Sequence, residues 1–165
     1  MEINSVNPPS SMGRRKLASP RTQLDRGNWI ESAIDVLAHD GVGGLRVEVL
    51  AKRCGVTKGS FYWHFKDRQD LLAAILEHWK EGRIRDIEKT TSVTPGKERE
   101  QLHFAIEVYG ASRNRKGMSI ELAVRDWARH DPQAATVVEA VDLYRLECTR
   151  KLFVAAGMSD AEAKS

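Results

Sequence analysis

Large apolar side chains are scarce over residues 1–23 and become periodic from Leu24 onward. Trp29, Ile30, Ala33, Ile34 and Leu37 return at steps of three and four, the spacing that gathers side chains on one face of a helix over Leu24 to His39. Asp40-Gly41 is placed to end it. Val47, Leu50, Ala51 and Cys54 repeat the helical step until Gly55 interrupts it, and a third helix is predicted over Thr57 to Phe65. The run Lys66-Asp67-Arg68-Gln69-Asp70 supplies a capping Asp for a fourth, longer helix with Leu71, Leu72, Ile75, Leu76 and Trp79 on one side.

Beyond Thr90 the segment Thr90-Thr91-Ser92-Val93-Thr94-Pro95-Gly96 is dense in helix-disfavouring residues and reads as a loop between two modules. Leu102, Ala105, Ile106 and Tyr109 predict a fifth helix ending near Asn114 to Gly117, and Ile120, Ala123, Val124 and Trp127 a sixth. Asp131-Pro132 is a helix start with proline in the first turn, and Gly157 closes the helix that follows. Ser159 and Glu162 then form the spacing of a capping box, so a further helix is announced just before residue 165. The expectation is a frayed tail or a shortened form of a longer protein. No segment alternates with a period of two, so the fold class expected is all-α.

Composition narrows the function classes. The chain is 41% hydrophobic and 30% charged, enough apolar material for a packed core. No apolar run approaches the roughly 20 residues of a membrane helix and no secretory core is present, so a soluble cytoplasmic protein without a membrane partner is expected. Cys54 and Cys148 stand far apart, which supports neither a disulfide framework nor a zinc site; both are expected reduced and buried. Residues 14–68 hold eleven basic side chains against six acidic ones, a net +5 within a chain of net +3, so the remainder sums to −2. That asymmetry is expected where one face meets phosphate. The arm at residues 1–23, with Arg14-Arg15-Lys16, is either an idle terminus or a strand that reaches along a minor groove.

The chemistry concentrates between Leu50 and Lys66. Small Ala51 lets two helices cross closely, Gly55 permits the turn between them, and Leu50, Val56 and Phe61 fill the wedge. This is the order of a helix-turn-helix. A helix that enters a groove about 12 Å wide needs polar donors outside and few acids, and Thr57 to Phe65 contains no acidic residue. Phe61 and Phe65 form its apolar back.

In these residues the chain resembles the TetR family of bacterial regulators. The similarity runs from Ala33 to Ile75 and includes Val36-Leu37-Ala38-His39-Asp40-Gly41, Leu50-Ala51 with Gly55-Val56, Gly59-Ser60-Phe61-Tyr62-Trp63-His64-Phe65-Lys66 and Asp70-Leu71-Leu72. Arg46 departs from the pattern, since the family often places a capping Thr or Ser there. The resemblance implies a homeodomain-like three-helix DNA-binding domain at residues 24–70 and a helical effector and dimerisation domain at residues 71–165, incomplete at its carboxyl end. It implies base reading by Thr57, Lys58, Gly59 and Tyr62. Lys58 suits guanine O6 or N7, and Tyr62 a thymine methyl or a phosphate. Arg46, Ser60, Trp63, His64, Lys66 and Arg68 are placed to hold phosphates.

The same resemblance implies a repressor on a palindromic operator, acting as a homodimer and released by an unidentified small-molecule effector. Dimerisation in the family uses two long helices, and the pattern runs out as the first of them should begin. Trp79, Phe104, Tyr109, Met118, Trp127 and Tyr144 are the candidate effector-pocket side chains, with Arg125 as an anchor for a carboxylate. Activation instead of repression, or an effector-binding or protein-interaction protein with a vestigial head, are the alternatives. An enzyme is not expected: His39, His64, His78, His103 and His130 have no metal-ligand spacing, no nucleophile elbow occurs, and no metal or other cofactor is implied.

Overall fold

A computed structural model describes residues 24–110 and 115–164, with the side chains of residues 109 and 115 outside the description; the arm at 1–23 lies outside it too. The described residues are helical, without a strand. Helix α1 spans Arg26–Asp40, and a 3-10 turn at Val42–Gly44 leads to α2, Val47–Arg53. The short α3 covers Lys58–Phe61, the long α4 Arg68–Thr91, α5 Glu98–Gly110, α6 Arg115–Ala128, α7 Pro132–Ala155 and α8 Asp160–Ala163.

Helix starts follow local polar chemistry. Asp25 Oδ1 accepts from the Asn28 N–H at 2.8 Å while Asn28 Oδ1 accepts from the Asp25 N–H at 3.0 Å, a reciprocal cap that starts α1 two residues after Leu24. Asp67, Asp131 and Ser159 each accept from the third residue of the helix they begin, so three donors that α4, α7 and α8 leave unpaired are satisfied. Arg46 precedes α2 without a side-chain cap, as its departure from the family pattern implies. Two glycines answer local backbone demands. Gly55 turns the chain after α2 at φ +66°, and a Cβ on Gly44 would lie 2.6 Å from Asp40 Cβ.

Three boundaries depart from the sequence pattern, and the cysteines are less buried than it implies. The third helix is regular only to Phe61; the amides of Tyr62 and Trp63 bond back three residues, to Gly59 and Ser60, and the chain tightens into a turn. Helix α4 runs through Thr90 and Thr91, because their hydroxyls donate to the Asp86 and Ile87 carbonyls at 2.7 Å and so can be buried. Gly117 lies within α6 and does not end α5. Cys54 and Cys148 are free thiols, half-buried against the core rather than fully enclosed.

The core begins in the amino-terminal helices and continues without a break. Trp29, Leu37, Leu45, Leu50, Phe61, Phe65, Leu71 and Ile75 are almost fully enclosed, and Val124, Trp127, Val138 and Val141 join the same cluster from α6 and α7. Helix α7 packs along α4 and α6, and α6 packs on α1. Lys116 on α6 adds an ion pair to Asp35 on α1 at 2.8 Å. Phe61 is 0% exposed and holds α3 to this core, edge-on to Trp29 at 5.5 Å and stacked on Phe65 at 5.1 Å.

Phe61→Ala is therefore expected to cost about 3–5 kcal/mol of unfolding free energy, while Trp63→Ala, at a side chain 83% exposed, changes it by about 0.5 kcal/mol or less. Urea unfolding of the two variants beside the parent chain checks the contrast.

Candidate nucleic-acid interface

The turn between α2 and α3 is fixed from both sides. The Val56 amide donates to the Ala51 carbonyl at 3.0 Å, and the Gly55 amide to Lys52 at 3.2 Å. Buried Ala51 and Phe61 then set which way α3 faces. Thr57, Lys58 and Gly59 are left exposed at its start, Tyr62 is 53% exposed at its end, and Ser60 and His64 are half-buried. The four positions expected to read bases, Thr57, Lys58, Gly59 and Tyr62, thus come together on one solvent-facing surface. Trp63 and Lys66 continue it, and Arg46 is exposed ahead of α2.

Two of the expected DNA-contacting cations already have protein partners. Lys58 donates its Nζ to Glu48 Oε1 at 2.5 Å, across the α2–α3 turn. Glu48 is the only acidic residue between Gly41 and Lys66. Its hydrogen bond holds the Lys58 ammonium above the ordinary lysine range, and the ammonium holds the Glu48 carboxyl below the carboxylate range, so both are charged near neutrality. Arg68 donates its Nε to the Leu45 carbonyl at 2.6 Å and one terminal nitrogen to the Val42 carbonyl at 2.9 Å. It therefore ties the start of α4 to the segment between α1 and α2, and only its remaining N–H groups are left for a phosphate. Arg26, 4.7 Å above the Phe65 ring and 3.7 Å from Asp70, joins the start of α1 to that of α4.

The residues expected to line an effector pocket are not gathered into one cavity. Trp127 is in the core; Phe104 and Met118 face solvent. Tyr144 is exposed and donates to Glu88 Oε1 at 2.8 Å, which pushes its phenol up to about 12. Trp79, with Ile34, His78 and Ile120, borders a void of about 160 Å³ between α1, α4 and α6. Arg125 borders a larger groove of about 360 Å³ between α6 and α7, whose apolar wall includes Leu143 and Leu146. Its guanidinium is occupied: two nitrogens meet both Asp142 carboxylate oxygens at 2.9 and 2.7 Å, and Nε meets Glu121 at 2.8 Å. The Tyr109 side chain lies outside the described residues.

Sequence reasoning missed Glu48 and Asp142 as partners of these cations. The Glu121 to Arg125 pair was visible as an i,i+4 spacing, but Glu48 and Asp142 stand 10 and 17 residues from their partners, beyond any local pattern. Among the described residues no group of His, Cys, Asp and Glu could hold a metal ion, and no helix is long and apolar enough to cross a membrane.

Residues 30–75 match the family profile of bacterial regulatory proteins, tetR family. The tetracycline repressor protein class A from transposon 1721 of Escherichia coli is 41% identical over 56 residues, 34% of this chain and 26% of that protein. The HTH-type transcriptional regulator AcrR of Shigella flexneri is 38% identical over 55 residues, 33% of this chain and 26% of the relative. The chain thus aligns with about a quarter of the length of these relatives. Likeness of fold extends further: a transcriptional regulator from Saccharomonospora viridis, solved in complex with choline, superposes with a TM-score of 0.68 at 17% identity, over 84% of this chain and 75% of that one.

Arg125 holds the Asp142 carboxyl below the usual carboxylate range. A carboxyl with a depressed folded pKa stabilises the fold above its unfolded value, near 4, and loses that contribution as pH falls through the folded one. Arg125→Met is expected to destabilise the chain by about 1–3 kcal/mol at pH 7, since it strands the Glu121 carboxylate and leaves Asp142 with Arg145, 3.4 Å away. It should also flatten the acid limb of stability against pH, which urea midpoints between pH 7 and 3 will measure.

Proposed function

We propose that this chain, which matches the tetR-family profile over residues 30–75, is a transcriptional repressor whose α3 enters the major groove of a palindromic operator. The observation that carries the reading is the outward face of α3 and its turn: exposed Thr57, Lys58, Gly59 and Tyr62, free of acidic side chains and held in place by buried Phe61. Lys58 donates to guanine, Tyr62 packs on a thymine methyl, and Thr57 and Gly59 allow close approach. Arg46, Ser60, Trp63, His64 and Lys66 fix register on the phosphates, with Arg68 chiefly bracing the domain.

A four-residue reading helix contributes little affinity singly, so the reading includes a homodimer that engages two half-sites about one helical turn apart. The exposed Leu122, Leu143 and Leu146 on α6 and α7 supply apolar surface of the kind that pairing of subunits covers. Repression is favoured by the similarity to a tetracycline repressor, and control by a small molecule by the fold shared with a choline-bound regulator. A bound effector would act by changing the separation of the two heads through α4 and α6, which pack against α1. The Arg125 groove and the Trp79 void, both among the described residues, are places offered to it.

The test selects a duplex from a random pool with the full-length chain and measures its affinity by fluorescence anisotropy. Lys58→Ala and Tyr62→Ala are each expected to weaken binding about tenfold or more, at about 1–3 kcal/mol per lost base contact. Affinity should fall by about a thousandfold or more between 50 and 200 mM salt if six or more phosphates are neutralised by the dimer. Unchanged affinity in both variants would remove α3 as the reading element.

A further inference from the structure

Within the basic surface around α3, one carboxylate stands out. Glu48 is in the first turn of α2 and exposed, with no other acid between Gly41 and Lys66, and it is bonded to the lysine that opens α3. A negative charge on a surface facing a polyanion weakens every complex with DNA, specific or not. Pairing it to a lysine 10 residues away also removes that lysine from the pool of free phosphate contacts. Neither effect serves bulk affinity. Both serve discrimination, because specificity is a difference of affinities and is raised by penalising the wrong partner.

We propose that Glu48 is a specificity-determining residue of the DNA interface: its carboxylate holds Lys58 at the start of α3, so that the ammonium is shared with a base edge only where correctly placed acceptors are offered. The inference rests on the DNA-reading role proposed for α3 and adds a second residue to it, on a different helix. The geometry favours sharing over release. An ammonium has three donors, and Glu48 Oε1 engages one of them. The other two can reach guanine O6 and N7 while the carboxylate keeps the lysine from swinging to a phosphate. On a non-cognate duplex no such acceptor pair is presented; Lys58 stays with Glu48, and the carboxylate adds repulsion. Exposed ion pairs of this kind are individually weak, so the pair can open and close within the encounter without a large barrier.

The experiment uses the full-length chain and two duplexes, the one selected by the parent chain and a scrambled duplex of the same length and composition. Glu48→Gln keeps the side-chain size and removes the charge. The scrambled duplex is expected to bind about five- to tenfold tighter to Glu48→Gln than to the parent, while the selected duplex changes by about twofold or less. Its slope of log affinity against log salt on scrambled DNA should steepen by about one unit as Lys58 becomes available to a phosphate. In a Lys58→Ala background the same change at Glu48 should move both duplexes equally, since only general repulsion is left to relieve. A merely electrostatic bystander would move both duplexes equally in either background, and that result overturns the proposal. So does a selected-to-scrambled ratio in Glu48→Gln within twofold of the parent. If the parent chain selects no duplex, the reading of α3 itself falls, and this inference with it. Circular dichroism of each variant confirms that the helices are retained.

Discussion

The burial of Phe61 is the interaction on which the candidate interface depends. Helix α3 has only four residues and no side-chain cap, far too little to persist on its own hydrogen bonds. Its position comes from tertiary contact: Phe61 is wedged edge-on to Trp29, stacked on Phe65, and part of the continuous buried core. Once that ring is fixed, the helical step decides the rest. Lys58, Gly59 and Tyr62 must point away from the core, and Trp63 is carried out beyond them. A surface that can read a groove is thus a by-product of how one aromatic side chain is buried.

Bracing of this small unit is shared between apolar and polar contacts. Arg68 reaches back to the Val42 and Leu45 carbonyls, which lie in the segment between α1 and α2, and Arg26 bridges Phe65 and Asp70. These ties join α4 to the head, and α4 is the helix along which α7 packs. The core is therefore continuous from Trp29 to Val141. A shift of α6 or α7 has a material route to α1 and α4, through packed side chains and the Lys116–Asp35 pair. Such packing is one physical means of coupling the second module to the head.

Much of the helix layout was legible because helix ends are written locally. Asp67, Asp131-Pro132, Gly157 and the Ser159–Glu162 box each act within three or four residues, and the structure uses all of them. Thr90 and Thr91 misled because the same hydroxyl that disfavours a helix in isolation is satisfied by the preceding turn once buried. The outward face of the candidate site was equally visible, since it needs only the helical period and the absence of acids. Where the cations point was not. Lys58, Arg68 and Arg125 take partners 10 to 26 residues away, and such pairings exist only after the helices have packed. The apolar and aromatic side chains of the second module were likewise ambiguous between core and pocket, and the structure distributes them among core, solvent and two separate grooves.

The central claim is that the exposed end of α3, and not another surface, meets DNA. Hydroxyl-radical footprinting of the full-length chain, read residue by residue by mass spectrometry with and without a saturating selected duplex, tests it directly. Tyr62 and Trp63 are exposed and readily oxidised, as are Met118 and Met158 far along the chain. The account predicts that duplex slows oxidation of Tyr62 and Trp63 several-fold and leaves Met118 and Met158 unchanged. Protection of the methionines with Tyr62 and Trp63 still fully reactive would contradict it.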